Sequence, residues 1–187
     1  NYGWDELENV IKSLGEPAFR AKQVFQWIHQ KGITAWEEMT NIPKDLRNVL
    51  ASNFRIEGLP VIKRRESKQD DTVKYLLRLS DGETVETVLM SYDPPAGKER
   101  QTLCVSTQVG CPLNCAFCAT GKSGFIRNLE VHEIIGQVLA VNRDLEPTGR
   151  KPVSNLVFMG MGEPLINYDN LIKGINILHH PLGLNIS

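Results

Sequence analysis

Cys111-Pro-Leu-Asn-Cys115-Ala-Phe-Cys118 gathers three thiols in a CxxxCxxC spacing. Thiolates are soft ligands suited to iron–sulfur clusters and to zinc. A loop holding three of them can coordinate three irons of a cubane cluster and leave the fourth iron open to a ligand. A structural zinc site is normally closed by four ligands, and here it would have to recruit Cys104, the only other cysteine. A third alternative is that the thiols are merely buried packing groups. The tight triplet favours the cluster, and so does the glycine-rich stretch Gly160-Met-Gly-Glu-Pro164. Its glycines allow a backbone to approach a ligand closely, and Glu163 offers an acceptor for an ammonium group.

With Phe117 directly before the last cysteine, the loop resembles that of the radical S-adenosylmethionine superfamily. A longer match is more specific. Cys104-Val-Ser-Thr-Gln-Val-Gly-Cys111, Gly124-Phe-Ile-Arg-Asn128, Glu133-Ile-Ile-Gly-Gln137 and Met159-Gly-Met-Gly-Glu-Pro-Leu165 together resemble the RlmN family of adenosine-C2 RNA methyltransferases. Pro17-Ala-Phe-Arg-Ala-Lys-Gln23 extends the resemblance towards the start of the chain.

The resemblance implies a 4Fe-4S cluster on Cys111, Cys115 and Cys118, and S-adenosyl-L-methionine as cofactor. Gly162 and Glu163 would contact the amino group of its methionine moiety, and Phe117 would pack beside its adenine unless it packs the loop instead. The implied reaction methylates C2 of adenosine in large-subunit rRNA and in tRNA. One cofactor molecule methylates a carrier cysteine in a C-terminal segment, and a second yields a deoxyadenosyl radical that activates the methyl group. Cys104 matches the cysteine that then breaks the protein–RNA crosslink, forming a disulfide. Glu86 matches a glutamate, in a Val-Glu-Thr context, that contacts the target adenine and moves a proton. The further implied partners are rRNA, tRNA and an electron donor such as flavodoxin or ferredoxin, with a monomer at full length. No cysteine follows Cys118, so the expectation is a fragment bearing the cluster half of the site and inactive alone; Asn1 in place of Met agrees with an excerpted or processed start. Two alternatives stand beside this reading: the sister activity at adenosine C8, against which Pro164 speaks, and a zinc-stabilised RNA-binding module without catalysis.

Composition bounds the rest. A hydrophobic content of 41% and a charged content of 23% are ordinary for a globular protein. The net charge of -1 gives no global field for a polyanion, which leaves only a local basic patch for RNA. No run approaches the roughly 20 apolar residues of a membrane span, and no signal peptide opens the chain. Metal-type cysteine spacing rather than a disulfide framework places the protein in a reducing compartment, the cytoplasm or an organelle interior.

These groups must be held by elements, and the periodicity supplies them. Leu7, Val10, Ile11 and Leu14 fall on one helical face ended by Gly15, and Ala21, Val24, Phe25 and Ile28 on a second after Pro17. A third helix after Pro43 carries Leu46, Val49 and Leu50. The three predict a small bundle around Phe25, Trp27 and Trp36, with Arg20, Lys22, Lys44 and Arg47 on polar faces as RNA contacts or as plain solvated charges. From Leu59 the period becomes two: Val73, Tyr75, Leu77 and Leu79 alternate with Lys74 and Arg78, and Asp81-Gly82 reads as a two-residue hairpin turn. The return strand puts Val85, Thr87 and Leu89 on one face, and Glu86, Val88 and Met90 on the other. On its own residues Glu86 reads rather as an edge-strand charge that discourages aggregation, and only the resemblance gives it a role at the adenine. Lys63-Arg64-Arg65 is the one dense basic cluster, splayed over both faces, either tracking phosphates or keeping an edge soluble. The loop with Pro94-Pro95 is longer than the family pattern.

From Arg100 the chain alternates strand and helix. A first strand spans 101–107, the cysteine loop follows its end, and Asn128 caps a helix with Val131, Ile134, Ile135, Val138 and Leu139 inward. A strand over 155–159 leads into the glycine turn, a helix buries Leu171, Ile172, Ile175 and Leu178, and a third strand begins at Gly183. Sites of barrels built from β/α units lie at the C-terminal ends of their strands. The expected fold is therefore α/β: a helical accessory, RNA-positioning domain (1–58), a β-hairpin connector (59–99), and the opening units of a partial radical-SAM TIM-like (βα) barrel (100–187). His29, His132, His179 and His180 read as helix-surface or interface residues rather than ligands.

Overall fold

Apolar side chains repeating every three to four residues build the first three helices of the computed structural model, which describes residues 2–92 and 100–186. Helix α1 (Trp4–Ser13) buries Leu7 and Ile11, and the chain turns at Gly15 with φ +77°, a left-handed position that glycine adopts without strain. Helix α2 (Phe19–His29) buries Ala21, Val24, Phe25 and His29, and α3 (Lys44–Asn53) buries Leu46 and Leu50. Val49, expected inside, is 40% exposed, because the Leu46–Leu50 stripe faces the core and leaves the position between them turned outward. Phe25 sits at the centre of the bundle, while Trp27 and Trp36 pack at its margin. His29, expected at a helix surface or an interface, is buried beside Phe25, with ring centroids 4.5 Å apart.

Strands β1 (Val61–Glu66), β2 (Val73–Arg78), β3 (Thr84–Tyr92) and β4 (Arg100–Cys104) pair antiparallel in that order. A short two-stranded ladder, β5 (Gln108–Gly110) with β6 (Phe125–Asn128), brackets the cysteine loop and the one-turn helix α4 (Ala119–Lys122). Helix α5 (Val131–Leu145) follows, and then β7 (Asn155–Val157) pairs parallel to β4, closing the order β1-β2-β3-β4-β7. The last helix is α6 (Tyr168–His179). The strands expected as a separate hairpin thus run hydrogen-bonded into the first β/α strands, making one mixed sheet.

One face of that sheet is dry. Val73, Tyr75, Leu77, Val85, Leu89 and Leu103 are fully buried in one hydrophobic cluster with Ile134, Val138 and Val141 of α5 and with Ile177 and Leu178 of α6. Each such side chain contributes about 1.5–3 kcal/mol of burial free energy. The opposite face, with Lys74, Leu76, Glu86, Val88, Thr102 and Cys104, stays partly or wholly exposed. Parallel β/α units bury their helices on one side, so this open side corresponds to the interior side of a partial barrel.

Several local expectations need correction. The hairpin loop holds three residues, not two: Leu79 N–H donates to Glu83 O at 2.8 Å and Gly82 N–H to Leu79 O at 3.1 Å. Gly82, at φ +92°, supplies the left-handed residue of a type I turn with a bulge. Helix α5 is capped at Glu130 by Glu133, whose carboxylate accepts Glu130 N–H at 2.8 Å; Asn128 instead accepts from the Gln108 side chain. In α6 the buried stripe is Leu171, Gly174, Ile177 and Leu178, and Ile172 faces out. Residues 183–186 form no strand; Ile186 N–H returns to Leu178 O at 3.1 Å and ties this segment to the end of α6. The Pro94-Pro95 loop, Asn1 and Ser187 lie outside the described residues. Among the described residues no helix is long and apolar enough to cross a membrane.

Candidate active site and cysteine loop

Strand β4 ends at Cys104, and the chain then runs along the C-terminal rim of the sheet. Val105 N–H donates to Val157 O at 2.8 Å, and Gly160 N–H returns to Val105 O at 3.2 Å. Ser106 and Gln108 receive the glycine turn: Met161 N–H donates to Ser106 Oγ at 2.9 Å and Glu163 N–H to Gln108 Oε1 at 2.8 Å. Thr107 and Gln108 both donate their N–H groups to Met161 O. The turn and the approach to the cysteine loop are therefore one rigid unit.

This docking explains the glycines. A Cβ on Gly160 would lie 2.7 Å from Ser106 Oγ, and one on Gly162, at φ +98°, would lie 2.5 Å from Gln108 Cβ. The close approach that glycine permits here is to residues 105–108. Glu163 caps the short helical turn after it, accepting Leu165 N–H at 3.2 Å.

All three cysteines of the triplet lie in the segment closed by β5 and β6. Cys111 N–H donates to Gly124 O at 2.9 Å at the neck of the loop, and Cys118 N–H to Cys115 O at 3.0 Å in a turn inside it. All four cysteines are free and partly exposed. Backbone N–H groups of Gly121 and Thr120 point at the Cys118 sulfur and hold its thiol below the usual range, which favours the thiolate that ligates metals. Among the described residues no group of three or more His, Cys, Asp or Glu side chains is drawn together around a single ion. Three free, partly exposed thiols in one loop are soft donors of the kind that an iron–sulfur cluster takes. Phe117 is 91% exposed, so its ring does not pack the loop.

Cys104 stands apart on β4. Burial pushes its thiol up, partly offset by the Met159 N–H that points at its sulfur. Val88 of β3 is its direct cross-strand partner, and Glu86, two residues away on β3, shares its face. The Glu86 carboxylate pairs with Lys74 Nζ at 2.9 Å with both side chains nearly half exposed, while its backbone is pinned on two sides. Ser106 Oγ donates to Glu86 O at 2.5 Å, and Glu86 N–H points to the Met161 sulfur at 3.4 Å.

Sequence reasoning passed over the polar groups that hold this rim. Buried Gln137 of α5 accepts Ser106 N–H and donates to Ser106 O, both at 2.9 Å. Arg127 of β6 makes a two-pronged contact with buried Glu133 at 2.8 Å and reaches Asp81 of the hairpin loop. Asn167 donates to Thr107 O and Leu129 O, both at 2.8 Å. Glu133 and Gln137, four residues apart on an otherwise apolar helix stripe, were the available signal. In the bundle, Arg20 donates to Gln23 and Asn41 O, and Arg47 to Glu37 O, so these two of the four candidate RNA contacts also hold local structure.

Residues 1–56 match the family described as the ribosomal RNA large subunit methyltransferase N-terminal domain. A protein of Dictyoglomus thermophilum named a probable dual-specificity RNA methyltransferase RlmN is 47% identical over 97% of this chain and 50% of its own length. One of the same name from Pseudothermotoga lettingae is 46% identical over 94% of this chain and 48% of its own length. The crystal structure of a radical SAM methyltransferase from Sphaerobacter thermophilus matches with a TM-score of 0.87 at 39% identity, covering 100% of this chain and 53% of that one. The chain spans about half the length of these relatives. It is a relative of the RlmN proteins, carrying their N-terminal domain and continuing into the β/α portion of a radical SAM methyltransferase fold.

Proposed function

We propose that this chain is the cluster-bearing part of a radical S-adenosylmethionine enzyme that methylates C2 of adenosine in large-subunit rRNA and in tRNA. The observation that carries this is the arrangement of the rim: a loop with three free thiols, rigidly joined through residues 105–108 to the Gly160–Pro164 turn, beside an open sheet face bearing Glu86 and Cys104. Cys111, Cys115 and Cys118 hold the 4Fe-4S cluster, which when bound supplies the electron that cleaves S-adenosylmethionine. Gly162 and Glu163 take the methionine end of that cofactor, and the free ring of Phe117 takes its adenine.

Glu86 moves the proton at the target adenine, from a backbone anchored to Ser106 and Met161. Cys104, whose thiol burial pushes up, stands on the same face to release the product RNA from the cysteine that carries the methyl group. That carrier has no counterpart after Cys118 in this sequence. Residues 1–58 position the RNA, 59–99 connect, and 100–187 form the opening of the barrel.

The test is a chimera of this chain with the C-terminal half of the Dictyoglomus thermophilum relative, reconstituted with iron and sulfide without oxygen and incubated with rRNA, tRNA, S-adenosylmethionine and a flavodoxin reducing system. Mass spectrometry of the digested nucleosides should show 2-methyladenosine, lost in Cys115→Ala. 8-Methyladenosine would assign the sister activity, and unmodified RNA from a cluster-loaded chimera would refute the reading.

A further inference from the structure

The register of the sheet sorts the basic residues in a way their sequence order hides. Arg64 of β1 lies opposite Tyr75, on the helix-covered side. Its guanidinium donates to Asp144 of α5 at 3.1 Å, and Tyr75 donates its hydroxyl to the same carboxylate at 2.7 Å. Arg64 also pairs with Glu66 at 2.9 Å. Its charge is matched, and its role is to tie the edge strand to the helix.

Its two neighbours are used differently. The irregularity between Val61 and Lys63 sets Lys63 opposite Leu76, and Arg65 lies opposite Lys74. Leu76 in turn lies opposite Glu86, and Lys74 opposite Val88, which faces Cys104. Two rows therefore cross the open face: Lys63–Leu76–Glu86, and Arg65–Lys74–Val88–Cys104. Arg78, paired in register with Thr84, and Arg100, paired with Tyr92, belong to the same face. Among the described residues on these strands, that face carries five cations and one carboxylate, Glu86, which is matched to Lys74. Lys63, Arg65 and Arg78 are exposed and have no carboxylate partner among the described residues. Two strand spacings of about 4.8 Å separate Lys63 from Glu86, so the unmatched charge begins within about 10 Å of the proposed proton-transfer residue.

We infer that this cationic face of β1 and β2 is a phosphate-contacting surface that lays the RNA backbone across the sheet and delivers the target nucleotide to Glu86. The inference rests on the RNA-methylating function proposed above. Charge complementarity supports it: the chain as a whole carries -1, yet this face carries five cations to one carboxylate, with Leu76, Val88, Met90 and Tyr92 exposed or partly exposed beside them. Such a surface offers contacts to phosphates, which position a strand without reading its sequence.

The test compares neighbouring residues on opposite faces. Binding of a fluorescein-labelled RNA stem-loop to the whole chain is measured by anisotropy between 50 and 300 mM salt for wild type, Lys63→Gln, Arg65→Gln and Arg64→Gln. Each lost phosphate contact lowers the slope of log K against log salt by about 0.7–0.9 and weakens binding roughly five-fold near 0.1 M salt. Lys63→Gln and Arg65→Gln should show this, and Arg64→Gln, with the same charge removed, should not. Equal losses in all three variants, or no loss in the first two while RNA still binds, would overturn the face assignment alone. No RNA binding by the wild-type chain at any salt would overturn the proposed function and this surface with it. Poly-glutamate binding tighter than RNA, with the same dependence on Arg65, would replace RNA by an acidic protein as the occupant.

Discussion

Glu86 and Cys104 stand on one face of the sheet, on neighbouring antiparallel strands, a single diagonal step of about 7–8 Å apart. Neither is tied into the cysteine loop. In the chimera described above, Glu86→Gln removes the ionisable group, and general acid–base catalysis is worth about 10²–10⁴-fold in rate. Turnover should fall within that range while iron content and cofactor binding stay intact, since the lost Lys74 pair is exposed and contributes little. Cys104→Ala should accumulate a covalent protein–RNA adduct visible on denaturing gels. Unchanged turnover in the first variant, or free release of methylated RNA in the second, would remove that residue from the chemistry.

The glycine turn makes a sharper structural prediction. Gly162→Ala adds a methyl group 2.5 Å from Gln108 Cβ at a left-handed backbone position, so it should cost about 2–4 kcal/mol in denaturant unfolding. Gly149→Ala is the control, at φ +72° with nothing within 4 Å of its Cβ; it carries the backbone strain alone, about 1–2 kcal/mol. Equal losses would mean that the turn is not docked on Gln108 as described.

The alternating segment was the most legible, because a period of two with one largely apolar face leaves little freedom of register. Val73, Tyr75, Leu77, Val85 and Leu89 are all buried, as their spacing required. Boundaries that depend on side-chain hydrogen bonding were not legible. Asn128 looks like a helix cap until Gln108, twenty residues earlier, takes its side chain, and Glu130 with Glu133 caps instead. The same limit hid the role of Gln137, whose partner is the backbone of Ser106. In the candidate site the thiol triplet and the glycine turn were visible from spacing. The reason for the glycines was not, because the groups they touch lie more than fifty residues away.

Arg127 joins three elements that sequence reading kept apart: the hairpin loop through Asp81, the strand after the cysteine loop, and the start of α5 through Glu133. Glu133 is 2% exposed, so Arg127→Ala would leave a buried carboxylate without its partner. The expected loss is about 2–4 kcal/mol, with most of it recovered in Arg127→Ala/Glu133→Gln. A double variant no more stable than the single one would show that the pair is not coupled.

His29 gives the fold a dependence on pH. Burial lowers its pKa from 6.5 to about 3. As pH falls below about 6.5 the unfolded chain takes up a proton that the folded chain refuses until about 3, so stability declines across that window and is flat above it. The slope from this group is at most about 1.4 kcal/mol per pH unit. His29→Leu should therefore lose less stability than wild type between pH 7 and pH 4 in urea titrations. Parallel curves for the two proteins would place the histidine in contact with water.

Iron and acid-labile sulfide analysis after anaerobic reconstitution, carried out on wild type and on each of the four single Cys→Ala variants, addresses the assignment of the cysteine loop most directly. Wild type and Cys104→Ala should bind iron and sulfide in equal amounts and show a brown visible absorption, with loss of the cluster in Cys111→Ala, Cys115→Ala and Cys118→Ala. Zinc retained in place of iron, or a loss in Cys104→Ala as large as in Cys115→Ala, would contradict the cluster assignment on which the proposed function depends.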